Sequence, residues 1–188
     1  MRVLVAEDET LIRLDLVGML EAAGFEVCAQ ARDGIEALEL ARSERPDLAV
    51  LDVKMPRLDG IEAAQRILEE RPLPIVIVSA FNEEKLVARA AEVGVYGYLA
   101  KPFREQDLLP AIATARARFG ELVAVREEAE SLAEALASRK AIERAKGILM
   151  VKEGLTEEAA FIRLRKASQN SGRPMRVIAE SVIATFAA

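Results

Sequence analysis

Five short runs of apolar and β-branched residues in the first hundred positions leave this chain few folds to choose from. Arg2–Ala6, Glu26–Gln30, Asp47–Leu51, Pro74–Val78 and Tyr96–Ala100 each have strand length, and a longer helical pattern follows each one. Leu11, Leu14, Leu16 and Leu20 mark the first helix, and Ile35, Leu38 and Leu40 the second. Ile61, Ala64, Ile67 and Leu68 mark the third, Leu86, Val87 and Ala90 the fourth, and Leu108, Leu109 and Ile112 the fifth. Gly24, Gly34, Gly60 and Gly94 sit at the transitions, where helices stop or a loop takes positive φ. Strands so uniformly apolar are buried on both faces, which requires a parallel sheet covered by helices. The expected fold is therefore α/β: a doubly wound (βα)5 parallel sheet of strand order 2-1-3-4-5 over residues 1–118.

Four of these runs end in polar residues suited to phosphoryl chemistry. The first leads into Glu7-Asp8, the third into Asp52, the fourth into Ser79 and the fifth into Lys101-Pro102. In an open parallel sheet, ligands bind beyond the carboxyl ends of the strands. One rim thus receives three carboxylates, a hydroxyl and an ammonium. Glu7, Asp8 and Asp52 would repel one another with nothing between them, and the arrangement makes sense around Mg²⁺, which favours a few carboxylates, a carbonyl and waters. Asp8 and Asp52 are the expected direct ligands, Glu7 acts directly or through water, and the Lys54 backbone carbonyl is a further oxygen. Asp52 is also the expected nucleophile, since a carboxylate attacks phosphorus when a cation neutralises the incoming charge. Lys101 would pair with phosphoryl oxygens, Ser79 would donate to one, and Pro102, through a cis bond, would hold the lysine inward.

Taken together, Ala6-Glu7-Asp8-Glu9, the stretch Leu51-Asp52-Val53-Lys54-Met55-Pro56-Arg57-Leu58-Asp59-Gly60, Ser79-Ala80 and Tyr98-Leu99-Ala100-Lys101-Pro102-Phe103 resemble the receiver domain of bacterial two-component response regulators. The resemblance implies that Asp52 is the phosphoacceptor of a partner histidine kinase. It also implies that Ser79 and Tyr98 form a switch pair, in which the hydroxyl follows the phosphoryl group and the ring turns inward. Glu7 stands where Asp is commoner. The rival is an enzyme, because haloacid-dehalogenase-type phosphatases also use a strand-end Asp with Mg²⁺. They carry a second Asp two residues on as general acid, whereas this chain has Lys54 there. An acyl phosphate without that acid persists and suits a switch, so no turnover of outside substrates is expected.

The second half differs in charge. Residues 138–188 hold ten Lys/Arg against five Asp/Glu, while residues 1–137 hold sixteen against twenty-six. An acidic body with a basic module hints at a polyanion partner for the module alone. Residues 119–137 read as a helical linker, with Leu122, Val125, Ala129, Leu132 and Leu136 forming about two heptads of seam. The seam either pairs with a second copy or packs on its own domain. Residues 138–188 read as three helices. The first continues from the linker to Gly154, the second is capped by Thr156 and closed by Gly172, and the third opens at Pro174 and runs to Phe186.

Ser138-Arg139-Lys140-Ala141-Ile142-Glu143-Arg144-Ala145-Lys146-Gly147-Ile148-Leu149-Met150, with Thr156-Glu157-Glu158-Ala159-Ala160-Phe161 and Leu164-Arg165-Lys166-Ala167-Ser168, resembles the ANTAR domain, the AmiR/NasR antitermination output module. The resemblance implies binding of structured RNA, namely stem-loops of leader transcripts, and transcription antitermination. Candidate RNA contacts are Arg139, Lys140, Arg144, Lys146, Arg165 and Lys166. Phe161 and Phe186 read as core. Gly147 within a helix costs about 1 kcal/mol relative to Ala, and a close helix approach or an RNA backbone contact would justify it. A DNA-binding output and a protein-docking module are the alternatives, although no helix–turn–helix with base-reading side chains is evident.

Histidine is absent from the sequence, so a phosphohistidine donor lies on another protein. Cys28 is the sole cysteine, no signal-peptide pattern opens the chain, and no membrane-length apolar run occurs. The expected compartment is the reducing cytoplasm.

Overall fold

The computed structural model describes residues 1–80, 84–95 and 97–186, with the side chains of residues 84, 85 and 87 excepted. Twelve elements follow one another among these residues. They are β1 (Arg2–Ala6), α1 (Thr10–Ala22), β2 (Glu26–Ala31), α2 (Gly34–Glu44), β3 (Leu48–Asp52) and α3 (Gly60–Glu70), then β4 (Ile75–Ala80), α4 (Glu84–Val93), β5 (Gly97–Lys101), α5 (Glu105–Glu153), α6 (Glu157–Ser171) and α7 (Met175–Phe186). The expected start of the fifth strand, Tyr96, lies outside the described residues.

All strand pairs are parallel, in the order β2-β1-β3-β4-β5. The period of two along each strand sorts side chains onto the two faces. Leu4, Leu51 and Ile77 point to one side, where they pack with Leu38 of α2, Ile61 and Ile67 of α3 and Ala90 of α4. Val3, Val50 and Val78 point to the other, against Leu16 and Leu20 of α1 and Leu108 and Ile112 of α5. Burying a side chain of this size contributes about 1.5–3 kcal/mol, and the central strands β1, β3 and β4 bury nearly every residue.

The helical pattern named for α1 lies in that helix, but only part of it is buried. Leu11 and Leu14 of α1 are 79% and 54% exposed. The buried stripe of that helix is Leu16, Val17 and Leu20, and the 100° step per residue puts Leu11 and Leu14 on the opposite side. Among the glycines, Gly24 and Gly94 do take positive φ, but Gly34 and Gly60 do not. They open α2 and α3 in tight contact with neighbouring backbone. A Cβ on Gly60 would stand 1.9 Å from the carbonyl oxygen of Asp52.

Residue contacts divide the chain into two compact units, Met1–Val123 and Ala124–Ala188. The stretch at residues 119–137 is helical. It is the middle of α5, a single helix of 49 residues that begins in the first unit and ends at Glu153. In the second unit, Ala145 and Leu149 of α5 meet Ala160 and Leu164 of α6 and Ala179 of α7. Thr156 caps α6 by accepting from the Ala159 N–H at 3.3 Å, and Gly154 and Gly172 are left-handed where helices stop. Phe161 and Phe186, expected in this core, are 40% and 39% exposed. The buried side of α6 is narrow, and Phe161 stands one helical step beyond Ala160.

Candidate functional site

The sheet register assembles the first site. Ala6, just before Glu7, pairs with Leu51, just before Asp52; Asp52 pairs with Val78; Ser79 and Ala80 pair with Ala100 and Lys101. The residues at these strand ends therefore lie side by side at the carboxyl edge of the sheet. Glu7, Asp8 and Asp52 each place a carboxylate oxygen within 4.8 Å of the others. The Lys101 ammonium stands among them, 2.7 Å from Glu7 Oε2 and 2.9 Å from Asp52 Oδ1. The Lys101–Pro102 peptide is cis.

Backbone groups hold the acids in place. The Lys54 N–H donates to Asp52 Oδ2 at 3.1 Å, and the Glu9 N–H donates to Glu7 Oε1 at 3.3 Å. Gly60 lets α3 start against the backbone of Asp52, with its N–H bonded to the Val53 carbonyl at 2.9 Å. Arg13, which no sequence argument singled out, donates from Nη1 to the Glu7 carbonyl at 2.6 Å. The signal for it was faint: a cation one turn into the helix that follows the acid pair.

Electrostatics in the pocket are strained in one direction. Burial pushes the Glu7 carboxyl up, with the Asp52 charge adding to it and Lys101 opposing it. Burial likewise raises the Asp52 carboxyl, helped by Asp8 and opposed by Lys101 and the Lys54 N–H. Burial would lower the Lys101 ammonium, but Glu7 and Asp52 outweigh that and hold it above the usual lysine range. Glu7 is wholly buried, and its Oε2 lies outside hydrogen-bond geometry despite the close ammonium. A trio of hard oxygen donors with an imperfectly satisfied buried oxygen suits a small divalent cation, and Mg²⁺ matches that donor chemistry.

Ser79 is buried beside this pocket with its Oγ 3.5 Å from the Ala80 carbonyl oxygen. The Tyr98 hydroxyl, from the neighbouring strand, donates to the same carbonyl at 3.4 Å. The two expected switch residues thus address one backbone oxygen.

In the second unit, Arg139, Lys140, Arg144, Arg165 and Lys166 are exposed and make no ion pair with a described residue. Lys146 is different. It is buried, and its ammonium lies 3.0 Å from both Glu143 carboxylate oxygens and 2.7 Å from Glu157 Oε1. It fastens α5 to the first turn of α6, so it stands apart from the five exposed cations. Arg163 is paired with Glu153, and Arg176 donates to Glu180 at 2.7 Å.

A family model of the response regulator receiver domain matches residues 3–113, and one of the ANTAR domain matches residues 130–183. The chain belongs to the response regulators, and its output module is an ANTAR domain. It is 48% identical over 185 residues to the transcriptional regulatory protein PdtaR of Mycobacterium tuberculosis, covering 98% of this chain and 90% of that protein. A protein-glutamate methylesterase of Anaeromyxobacter dehalogenans is 48% identical over 104 residues, but the match covers 54% of this chain and 30% of that protein, and lies in the receiver domain. Among solved structures, the response regulator domain of Thermotoga maritima CheB aligns with a TM-score of 0.57 at 31% identity, over 61% of this chain and 95% of that one. A CheX–CheY complex with BeF3 and Mg from Borrelia burgdorferi aligns with a TM-score of 0.57 at 26% identity, over 60% of this chain and 86% of that one. No described helix is long and apolar enough to cross a membrane.

Proposed function

We propose that Asp52 accepts a phosphoryl group from the phosphohistidine of a sensor histidine kinase, and that this controls binding of structured RNA by the ANTAR domain and so antiterminates transcription in the cytoplasm. The observation that carries the reading is the Glu7–Asp8–Asp52 cluster around Lys101, in one chain with an ANTAR domain. An Asp52 carboxylate oxygen attacks phosphorus as the bond to the donor imidazole nitrogen breaks, and the electron pair leaves on that nitrogen. Mg²⁺, held by Glu7, Asp8, Asp52 and the Lys54 carbonyl, supplies charge neutralisation when bound. Lys101 turns its ammonium to a phosphoryl oxygen, and Ser79 donates its hydroxyl to another. Ser79 thereby leaves the Ala80 carbonyl to Tyr98, which follows it inward. Lys54 stands where a turnover enzyme of the phosphatase type has its acid, so the acyl phosphate serves as a stored signal and no outside substrate is consumed.

The exposed cations Arg139, Lys140, Arg144, Arg165 and Lys166 supply phosphate contacts for the RNA. The exposed stripe Leu122, Val125, Leu132 and Leu136 supports pairing of two copies along α5 once phosphorylated. Within the second unit, α7 approaches α5 on the other side of that stripe, where Arg176 faces Glu134 at 3.9 Å. The test is phosphorylation by acetyl phosphate followed by gel shifts at fixed salt, with hairpin RNA and duplex DNA as probes. Wild type should label at Asp52 and bind RNA preferentially, whereas Asp52→Asn should do neither above background. Preference for duplex DNA would assign the module to the DNA-binding alternative.

A further inference from the structure

Gly147 lies exposed in the interior of α5, where glycine costs about 1 kcal/mol relative to alanine. Nothing among the described residues accounts for it. Its φ is not positive, and an added Cβ would meet no atom within 4 Å. The close approach of another helix, one of the two explanations the sequence allowed, is therefore absent among the described residues of this chain. The position is not neutral in another respect. A helical side chain covers the turn N-terminal to its own Cα, so the missing one uncovers the backbone of the Glu143 turn. The Glu143 carbonyl accepts the Gly147 N–H along the helix and keeps a second lone pair facing solvent.

The surroundings indicate what meets that oxygen. Lys140, Arg144, Gly147 and Val151 follow one another at spacings of four, three and four, so they share a face. All four are exposed, and neither cation has an ion-pair partner among the described residues. A second copy pairing in parallel and in register along this face would bring Lys140 and Arg144 against their own equivalents, which like-charge repulsion opposes. A polyanion carrying a hydrogen-bond donor fits the notch without that conflict. RNA has such a donor at every ribose and DNA does not.

We propose that the Gly147 notch seats a ribose of the bound RNA. The 2′-hydroxyl donates to the uncovered Glu143 carbonyl oxygen, while Lys140 and Arg144 neutralise flanking phosphates. The notch then contributes the distinction between RNA and DNA, and any side chain at residue 147 closes it. This rests on the RNA-binding reading above.

The test uses the full-length phosphorylated protein with hairpin RNA recovered from wild-type protein, and with the same hairpin carrying single 2′-deoxy substitutions. Wild type should show one ribose at which loss of the hydroxyl weakens binding about three- to tenfold. Gly147→Ala should melt at a higher temperature, bind the unmodified RNA about tenfold more weakly, and no longer respond to deoxy substitution at that ribose. The proposal is overturned if Gly147→Ala binds with wild-type affinity and the same deoxy sensitivity, or if wild type shows no sensitive ribose. It is also overturned if Gly147→Ala loses self-association measured by light scattering, since the notch would then belong to a second copy. A wild-type protein that binds no hairpin at all would sink the RNA reading itself, a result separable from failure of the notch.

Discussion

Around Asp52, burial disfavours the charged carboxylate, Lys101 and the Lys54 N–H offset only part of this, and Asp8 adds a little to it. A carboxyl raised in the folded state weighs against folding only when it is ionised. The penalty is absent below the ordinary aspartate range and complete above the raised native value, so the metal-free protein loses this contribution as pH rises through that window. Asp52→Asn in chelator should raise the melting temperature at neutral pH by a few degrees, with the gain fading in acid and shrinking when Mg²⁺ is added. Thermal melts that show Asn destabilising at neutral pH would contradict the balance drawn here. Asp33 works in the opposite sense. Burial pushes it up, but the Glu36 N–H, the Arg57 guanidinium and the Ile35 N–H hold its carboxyl below the usual range. Its stabilisation is present above about pH 4 and is lost as pH falls through the depressed native value. Asp33→Ala, which removes the cap of α2, should cost about 1–2 kcal/mol at neutral pH, with the difference from wild type closing in acid. Denaturant melts at several pH values measure it. Asp52, Asp8 and Lys101 could be found from their places after strands, whereas Arg13 could not, because it reaches the Glu7 carbonyl only through the packing of α1.

At the scale of elements, α5 runs through three stretches that the sequence described one by one. The pattern read a receiver helix, a helical linker and a bundle helix continuing from it, and all three form one helix. Its apolar residues meet different surroundings along its length, which local patterning alone does not reveal: Leu108 and Ile112 pack in the receiver core, Leu122, Val125, Leu132 and Leu136 are exposed, and Ala145 and Leu149 pack in the second unit. Lys146 shows the same limit. By sequence it was one cation among several, and only the return of α6 brings Glu157 to its ammonium. Lys146→Ala should therefore lower the melting temperature of the second unit, with RNA affinity at low temperature falling less than in Arg165→Ala. Calorimetry and filter binding on the same preparations would separate the two effects, and an unchanged melting transition would remove Lys146 from the helix fastening.

The whole molecule couples an acidic receiver to a basic output module. RNA binding should weaken steeply with salt, and Arg165→Ala or Lys166→Ala should each reduce the log–log salt slope by about 0.7–0.9 if each neutralises one phosphate. Self-association should depend on the α5 stripe. Leu132→Glu with Leu136→Glu should weaken the phosphorylated dimer by about tenfold or more per leucine, leaving labelling of Asp52 intact. Sedimentation at several concentrations reads this directly. The topology and the acid pocket were legible before any coordinates, because the last residue of a parallel strand reaches the carboxyl edge of the sheet wherever the helices settle. That is why Glu7, Asp52, Ser79 and Lys101 could be named from spacing alone. The exposure of Phe161, the burial of Lys146, the grip of Arg13 and the open space at Gly147 answer to a different constraint. Each depends on which face of a helix meets which neighbour, and only the packed chain decides that.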